Sequence, residues 1–154
     1  MAKSEGIKVL AVNKKARFNY EISESFECGI ALAGTEVKSI KEGRFSFADS
    51  YAQVENGELW LVALHVTPYA YGNRYNPDDP LRKRKLLVHG KEIKRLQRVT
   101  EEKGLTLVPL KFYLKRSLVK CELGIARGKK LFDKRQDIKH RDITREVERE
   151  FRIK

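Results

Sequence analysis

The chain has 154 residues, 41% of them apolar, enough for one domain with a real core and an appendage. Its 33 Lys and Arg against 21 Asp and Glu leave a net charge of +12, which favours polyanionic partners, either nucleic acid or an anionic membrane surface. Two cysteines without CxxC spacing and three scattered histidines speak against zinc, any other metal site or a disulfide framework, and no apolar run reaches the roughly 18–20 residues of a membrane span.

The N-terminus MAKSEGIKV has no signal-like apolar segment, so a cytoplasmic protein is expected. Residues 4–6 read as a frayed start. Asn13 is placed to cap a short helical turn through Lys14, Lys15, Ala16 and Arg17, because its side-chain oxygen can accept from a free first-turn amide. Residues 20–32 then read as a strand, with Ile22, Phe26, Ile30 and Leu32 apolar among polar neighbours. Gly34-Thr35-Glu36 opens a helix with Val37 and Ile40 on one face, and Gly43 ends it.

Residues 47–54 and 58–66 flank Asn56-Gly57, the dipeptide favoured in a two-residue hairpin turn whose central residues both need positive φ. Residues 67–80 (TPYAYGNRYNPDDP) read as an irregular loop. Leu86 to Val88 are apolar after Arg82-Lys83-Arg84-Lys85. Residues 91–103 look helical, with Ile93, Leu96 and Val99 inward, and Gly104 closes the helix. A second hairpin joins 105–114 to 118–125 across Lys115-Arg116-Ser117, and Val108, Leu110, Phe112 and Leu114 alternate with Pro109, Lys111 and Tyr113. Strands therefore dominate. The pattern predicts a mainly β fold, a barrel or sandwich, and an antiparallel barrel with two or three peripheral helices fits because closure removes exposed strand edges. Cys28 and Cys121 lie in apolar strand-like stretches and read as buried free thiols.

Catalytic signatures are lacking. Asp78-Asp79 sit in a Pro-rich loop where turn formation explains them, and His65 within LWLVALHV reads as a core or hairpin histidine. No nucleophile motif, GxxxxGK[ST] or GxGxxG occurs, so the chain reads as a binding protein that needs no cofactor. The basic clusters say more. Residues 81–98 carry eight Lys and Arg against one Glu, and residues 126–154 carry eleven against six acids. One such run is ordinarily a solvated face; two on a small basic chain point to phosphate contacts, which release counterions. Tyr69, Tyr71, Tyr75 and Tyr113 lie near them, with loop or core packing as the plainer explanation. Phe132 stands between Lys129-Lys130 and Asp133-Lys134-Arg135 with only Leu131 as apolar company, a setting suited to stacking on an unpaired base. Ile143, Val147 and Phe151, four apart, give the last segment a thin apolar stripe, expected to order on a surface.

The blocks NKKARFNY (13–20), FECGIALAGTEVKSIKEG (26–43), DSYAQVENGELWL (49–61), DPLRKRKLLVHGKEI (79–93), GLTLVPLKFYLKRSLVKCELGIARGKK (104–130) and DKRQDIK (133–139) together resemble the SsrA-binding protein, or small protein B, family over nearly the whole chain. The resemblance implies an oligonucleotide-binding-fold barrel over residues 1–127 that grips the tRNA-like domain of transfer-messenger RNA. It also implies a basic tail over 128–154, disordered when free and helical on the ribosome. Carried over by motif, Asn13, Glu27 and Leu87 would face RNA, and the same face would take in Lys14, Arg17, Lys83, Arg84 and Lys85. Gly128, Lys129, Lys130, Phe132, Asp133, Lys134, Arg135, Ile143 and Phe151 would serve the decoding centre and the empty mRNA channel of a stalled ribosome, the free protein being a monomer with no membrane partner. Phe132 stands where many members have His, which keeps stacking and removes a protonation role. The main rivals are a general single-stranded RNA-binding barrel and an RNA-processing enzyme.

Overall fold

The computed structural model describes residues 6–128. Its elements in chain order are β1 (Lys8–Val12), α1 (Lys14–Asn19), β2 (Tyr20–Ile30), α2 (Gly34–Lys41), β3 (Phe45–Ser46), β4 (Tyr51–Glu55), β5 (Glu58–Val62), β6 (His65–Val66), β7 (Arg84–Leu87), α3 (Gly90–Glu102), β8 (Thr106–Lys115) and β9 (Leu118–Gly128), with one 3-10 turn at Asn73–Tyr75. Seven strands form one antiparallel sheet in the order β1-β8-β4-β5-β7-β2-β9, and β9 pairs back onto β8. The sheet thus closes into a ring, as the dominance of strands predicts. β8 makes closure possible by serving two neighbours on one edge: Leu107 near its start faces Ala52 of β4, and residues 111–114 face β1.

Turn chemistry sets the hairpins. Asn56 (φ 53°) and Gly57 (φ 76°) take the two left-handed positions between β4 and β5. Arg116 (φ 53°) and Ser117 (φ 65°) do the same between β8 and β9 without a glycine. Gly43 and Gly104, both at positive φ, follow α2 and α3 as expected.

The ring is filled by Leu59, Leu61, Leu86, Leu107, Phe112 and Leu123, all essentially inaccessible, with Ile40 and Leu96 brought in by α2 and α3. Phe45, Phe47 and Phe112 meet with ring centres 5.0–5.2 Å apart. Cys28 and Cys121 sit directly opposite each other on β2 and β9 as buried free thiols. Burial pushes the Cys28 thiol up to about 12 and raises Cys121 as well, so neither is a reactive thiolate at neutral pH.

Four expectations change. The strand expected over 47–54 begins only at Tyr51, as β4. β1 is an additional strand at the start, held by β8. The strand expected over 58–66 breaks at Ala63 (φ 62°), and β6 pairs instead with β3 in a separate two-stranded sheet. His65 is exposed on β6 and not in the core. Among the described residues no helix is long and apolar enough to cross a membrane.

Candidate nucleic-acid interface

Strand alternation fixes which side chains leave the ring. On β2, Cys28 points in, so Ser25, Glu27 and Gly29 point out. On β9, Cys121, Leu123 and Ile125 point in, so Lys120, Glu122 and Gly124 point out. Register then aligns these outward residues across four strands. Gly29 lies opposite Leu87 on one side and Lys120 on the other, and Lys120 lies opposite Tyr113. The next row runs Glu27, Glu122, Lys111; the next, Ser25, Gly124, Val108. Val108 is buried with Leu110 and Ala126 against Ala16, so α1 covers that end. One outer wall, built by β7, β2, β9 and β8, therefore carries α1, Glu27 and Leu87 together.

At its centre Glu27 accepts from the Tyr113 hydroxyl (2.6 Å) and from Lys115 Nζ (3.3 Å). The Tyr113 hydrogen bond lowers the Glu27 pKa most; partial desolvation opposes it, and Lys115 and Lys120 lower it further. Burial, and then the same partnership, raise the Tyr113 pKa, so its hydroxyl stays a donor. Lys111 Nζ sits 5.6 Å from the Tyr113 ring centre and 3.8 Å from Glu122. An acid amid prospective phosphate contacts is thus explained locally: Glu27 orients a tyrosine and a lysine. Leu87 is 52% exposed, and a Cβ on Gly29 would come within 3.2 Å of its own Cβ, so glycine there lets the leucine lie against the strand.

The expected residues on α1 divide by role. Asn13 Oδ1 accepts from Ala16 N (3.2 Å), while its Nδ2 donates to Pro109 O (2.8 Å) and its backbone N–H to Leu110 O (2.7 Å). Its amide therefore fastens α1 to β8. Lys14, Lys15 and Arg17 are exposed on that helix.

The run 82–85 departs from expectation because it is not one surface. Arg84, expected as a phosphate contact, is wholly buried. Its Nε and Nη2 donate to Glu36 at 2.9 and 2.6 Å, Nη2 also to Pro80 O at 3.0 Å, and Nη1 to Leu64 O. Arg82 grips the same carboxylate, and the Ala33 amide donates to it at 2.9 Å. Burial alone would raise the Glu36 pKa; the Arg82, Ala33 and Arg84 hydrogen bonds outweigh it and hold the carboxyl below its usual range. Lys83, just before β7, pairs with Glu55 (2.8 Å) on β4, a strand outside the wall. Lys85 remains half-exposed beside Leu87, with Glu58 at 3.5 Å.

Sequence reading passed over Lys111, Lys115 and Lys120 as site residues. The alternation of Lys111, Tyr113 and Lys115 along β8 was the available signal; that β9 lays Lys120 beside them needs the register. Gly128 is exposed at the end of β9, opposite Tyr20. Lys129, Lys130, Phe132, Asp133, Lys134, Arg135, Ile143 and Phe151 lie outside the described residues.

A family model described as SmpB protein matches residues 10–153. Similar curated proteins include the SsrA-binding protein of Desulfitobacterium hafniense, 57% identical over 149 residues (97% of this chain and 95% of that protein). Those of Geobacillus thermodenitrificans, 55% identical over 152 residues (99% and 97%), and Treponema denticola, 53% over 148 residues (96% and 96%), are also similar. Among solved structures, a chain described as "tmRNA-SmpB: a journey to the center of the bacterial ribosome" aligns with TM-score 0.65 and 52% identity, covering 79% of this chain and 85% of that one.

Proposed function

Because the chain belongs to the SmpB family, we propose that it binds the tRNA-like domain of transfer-messenger RNA through the β7-β2-β9-β8 wall and α1, and delivers that RNA to stalled ribosomes. The observation that carries this reading is the convergence of α1, Glu27 and Leu87 on one wall, where Lys111, Lys115 and Lys120 surround the Tyr113–Glu27 pair. Lysines offer phosphate contacts that add affinity without reading sequence, and Leu87 offers an apolar contact for splayed loop bases. A folded RNA surface suits such a mixture better than a single strand. The protein works by binding, without catalysis of its own, and works where ribosomes do, in the cytoplasm.

Residues 1–127 form the RNA-gripping body and 128–154 a tail with a separate task. Lys129, Lys130, Asp133, Lys134 and Arg135 suit a channel walled by RNA phosphate, Phe132 suits stacking at the decoding centre, and Ile143, Val147 and Phe151 give a helix its apolar contacts in an mRNA channel that holds no message. The test compares the full chain with one ending at Gly128 for binding to a transcribed tRNA-like domain at fixed salt, with elongator tRNA and single-stranded oligonucleotide as competitors. Tight, competitor-resistant binding by both proteins is expected. Equal competition by single strands would reduce the body to a general RNA binder, and loss of binding on truncation would overturn the division of labour.

A further inference from the structure

The loop between β6 and β7 presents two tyrosines that packing does not explain. Tyr71 is 82% exposed and Tyr75 71% exposed, the highest values among the large hydrophobic side chains of the described residues. The backbone that carries them is nonetheless tightly held. Asn76 closes the loop on itself, its Oδ1 accepting from Tyr69 N (2.9 Å) and its Nδ2 donating to Tyr69 O (3.0 Å). A Cβ at Gly72 would come within 2.7 Å of that amide, so glycine there lets Asn76 make both bonds without shifting. Thr35 Oγ1 donates to Tyr75 O (3.3 Å), while Val66 N and the buried Arg84 both donate to Pro80 O at 3.0 Å. A fixed backbone that holds two rings out in water keeps the ordering entropy of a binding surface low before any partner arrives.

The surroundings of the rings suit a nucleobase. Tyr71 meets Tyr69 edge-on with ring centres 5.7 Å apart, which leaves a face of Tyr71 in solvent. The Arg74 guanidinium lies 5.4 Å from the Tyr75 ring centre, and Lys38 Nζ lies 5.2 Å from that of Tyr69. Asp78 is exposed in the same loop, and Asp79 is turned onto its own backbone, accepting from Leu81 N at 2.9 Å. Local charge is therefore near balance, and the chemistry on offer is stacking. The loop adjoins the β7–β2 edge of the wall: β2 ends at Ile30, opposite Leu86, Ala31 N donates to Lys85 O (2.9 Å), and Thr35 follows four residues later.

We infer that Tyr71 and Tyr75 form a stacking platform for an unpaired nucleobase of the same RNA that lies on the wall. This rests on the reading of the wall given above. Base–aromatic stacking tolerates any base, because each has a π-face, so the platform extends the footprint without adding a sequence requirement. The experiment uses the full chain and a transcribed tRNA-like domain, and compares Tyr71→Ala/Tyr75→Ala with Tyr71→Phe/Tyr75→Phe and, as a wall control, Lys120→Glu. Affinity is measured across a salt series, and melting temperature for each protein. The alanine pair is expected to weaken binding at least about fivefold, the lower limit of one stack, with unchanged melting and an unchanged salt slope. The phenylalanine pair is expected to bind like the unmodified chain. Unchanged affinity of the alanine pair beside a weakened Lys120→Glu protein would overturn the platform and leave the wall standing. Equal loss in the phenylalanine pair, or a fall in melting temperature that accompanies the loss, would also overturn it. Failure of the unmodified chain to bind would overturn wall and platform together.

Discussion

Glu27 and Glu36 each gather basic partners and one further donor, a tyrosine hydroxyl for Glu27 and a backbone amide for Glu36, but Glu27 does so on an open wall and Glu36 inside the core. Around Glu36 both arginines are committed to the fold: Arg84 has no accessible surface, and its guanidinium ties the carboxylate to the Leu64 and Pro80 carbonyls. Around Glu27, Lys115 and Lys111 stay partly exposed, where a phosphate can reach them. Two similar constellations thus do different work, and burial decides which. Charge in the core orders the chain, and charge on the wall remains free for a partner.

The sharpest way to break this contrast is to remove Arg84. Arg84→Ala leaves Glu36 buried with one cation fewer and takes a donor from the Leu64 and Pro80 carbonyls, the latter keeping Val66 N, which is expected to cost about 3–5 kcal/mol. For a body of this size that lowers the melting temperature by roughly 10 °C or more, and calorimetry on the full chain would show it. A stability near that of the unmodified protein would mean that Arg84 is available to RNA after all.

Acid titration separates the two carboxylates next. A folded pKa held below the usual 4.5 contributes stability that is present above that value and is lost as pH falls through the folded pKa. The body is therefore expected to lose stability progressively below about pH 4.5. Glu36→Gln should lower the neutral plateau and flatten this acid limb, as urea midpoints across pH would report. Glu27 is also shifted down, but it is exposed and solvent-screened. Glu27→Gln should leave the limb nearly unaltered.

How much of this was legible follows from the range of the interactions involved. Asn56-Gly57, the Asn13 cap and the glycines after α2 and α3 act within a few residues, and each was readable. The break at Ala63 was not, because alanine carries no turn signal and its left-handed backbone is imposed by the pairing of β6 with β3. Arg84 was misread for a similar reason: within Arg82-Lys83-Arg84-Lys85 every side chain is basic, and only alternation against buried Leu86 reveals which points in. Glu27 and Leu87 came from motif resemblance, while Lys120 beside Gly29 depends on a register between strands some ninety residues apart in sequence.

The wall's own test has a smaller expected effect on stability and a larger one on binding. Lys111→Gln/Lys115→Gln/Lys120→Gln should melt within a few degrees of the unmodified chain, since partly exposed ion pairs contribute about 0–1 kcal/mol each. Its affinity for the tRNA-like domain should fall and its salt slope should become shallower by roughly one for each lysine that meets a phosphate. A steep slope retained by the triple variant would move the phosphate contacts to α1.

Lys83 supplies the smallest effect and the finest discrimination. It belongs to the densest basic run in the sequence, yet it precedes β7 and its ammonium lies 2.8 Å from Glu55 on β4, a strand outside the wall. Lys83→Gln is therefore expected to change neither melting temperature nor salt slope measurably, whereas Lys85→Gln, two residues on and facing out beside Leu87, should make the slope shallower. Because the two substitutions remove the same charge from the same run, total basicity predicts equal effects and the wall predicts unequal ones. Equal loss from both would mean that the field of the whole surface, and not the placement of Lys85, attracts the RNA.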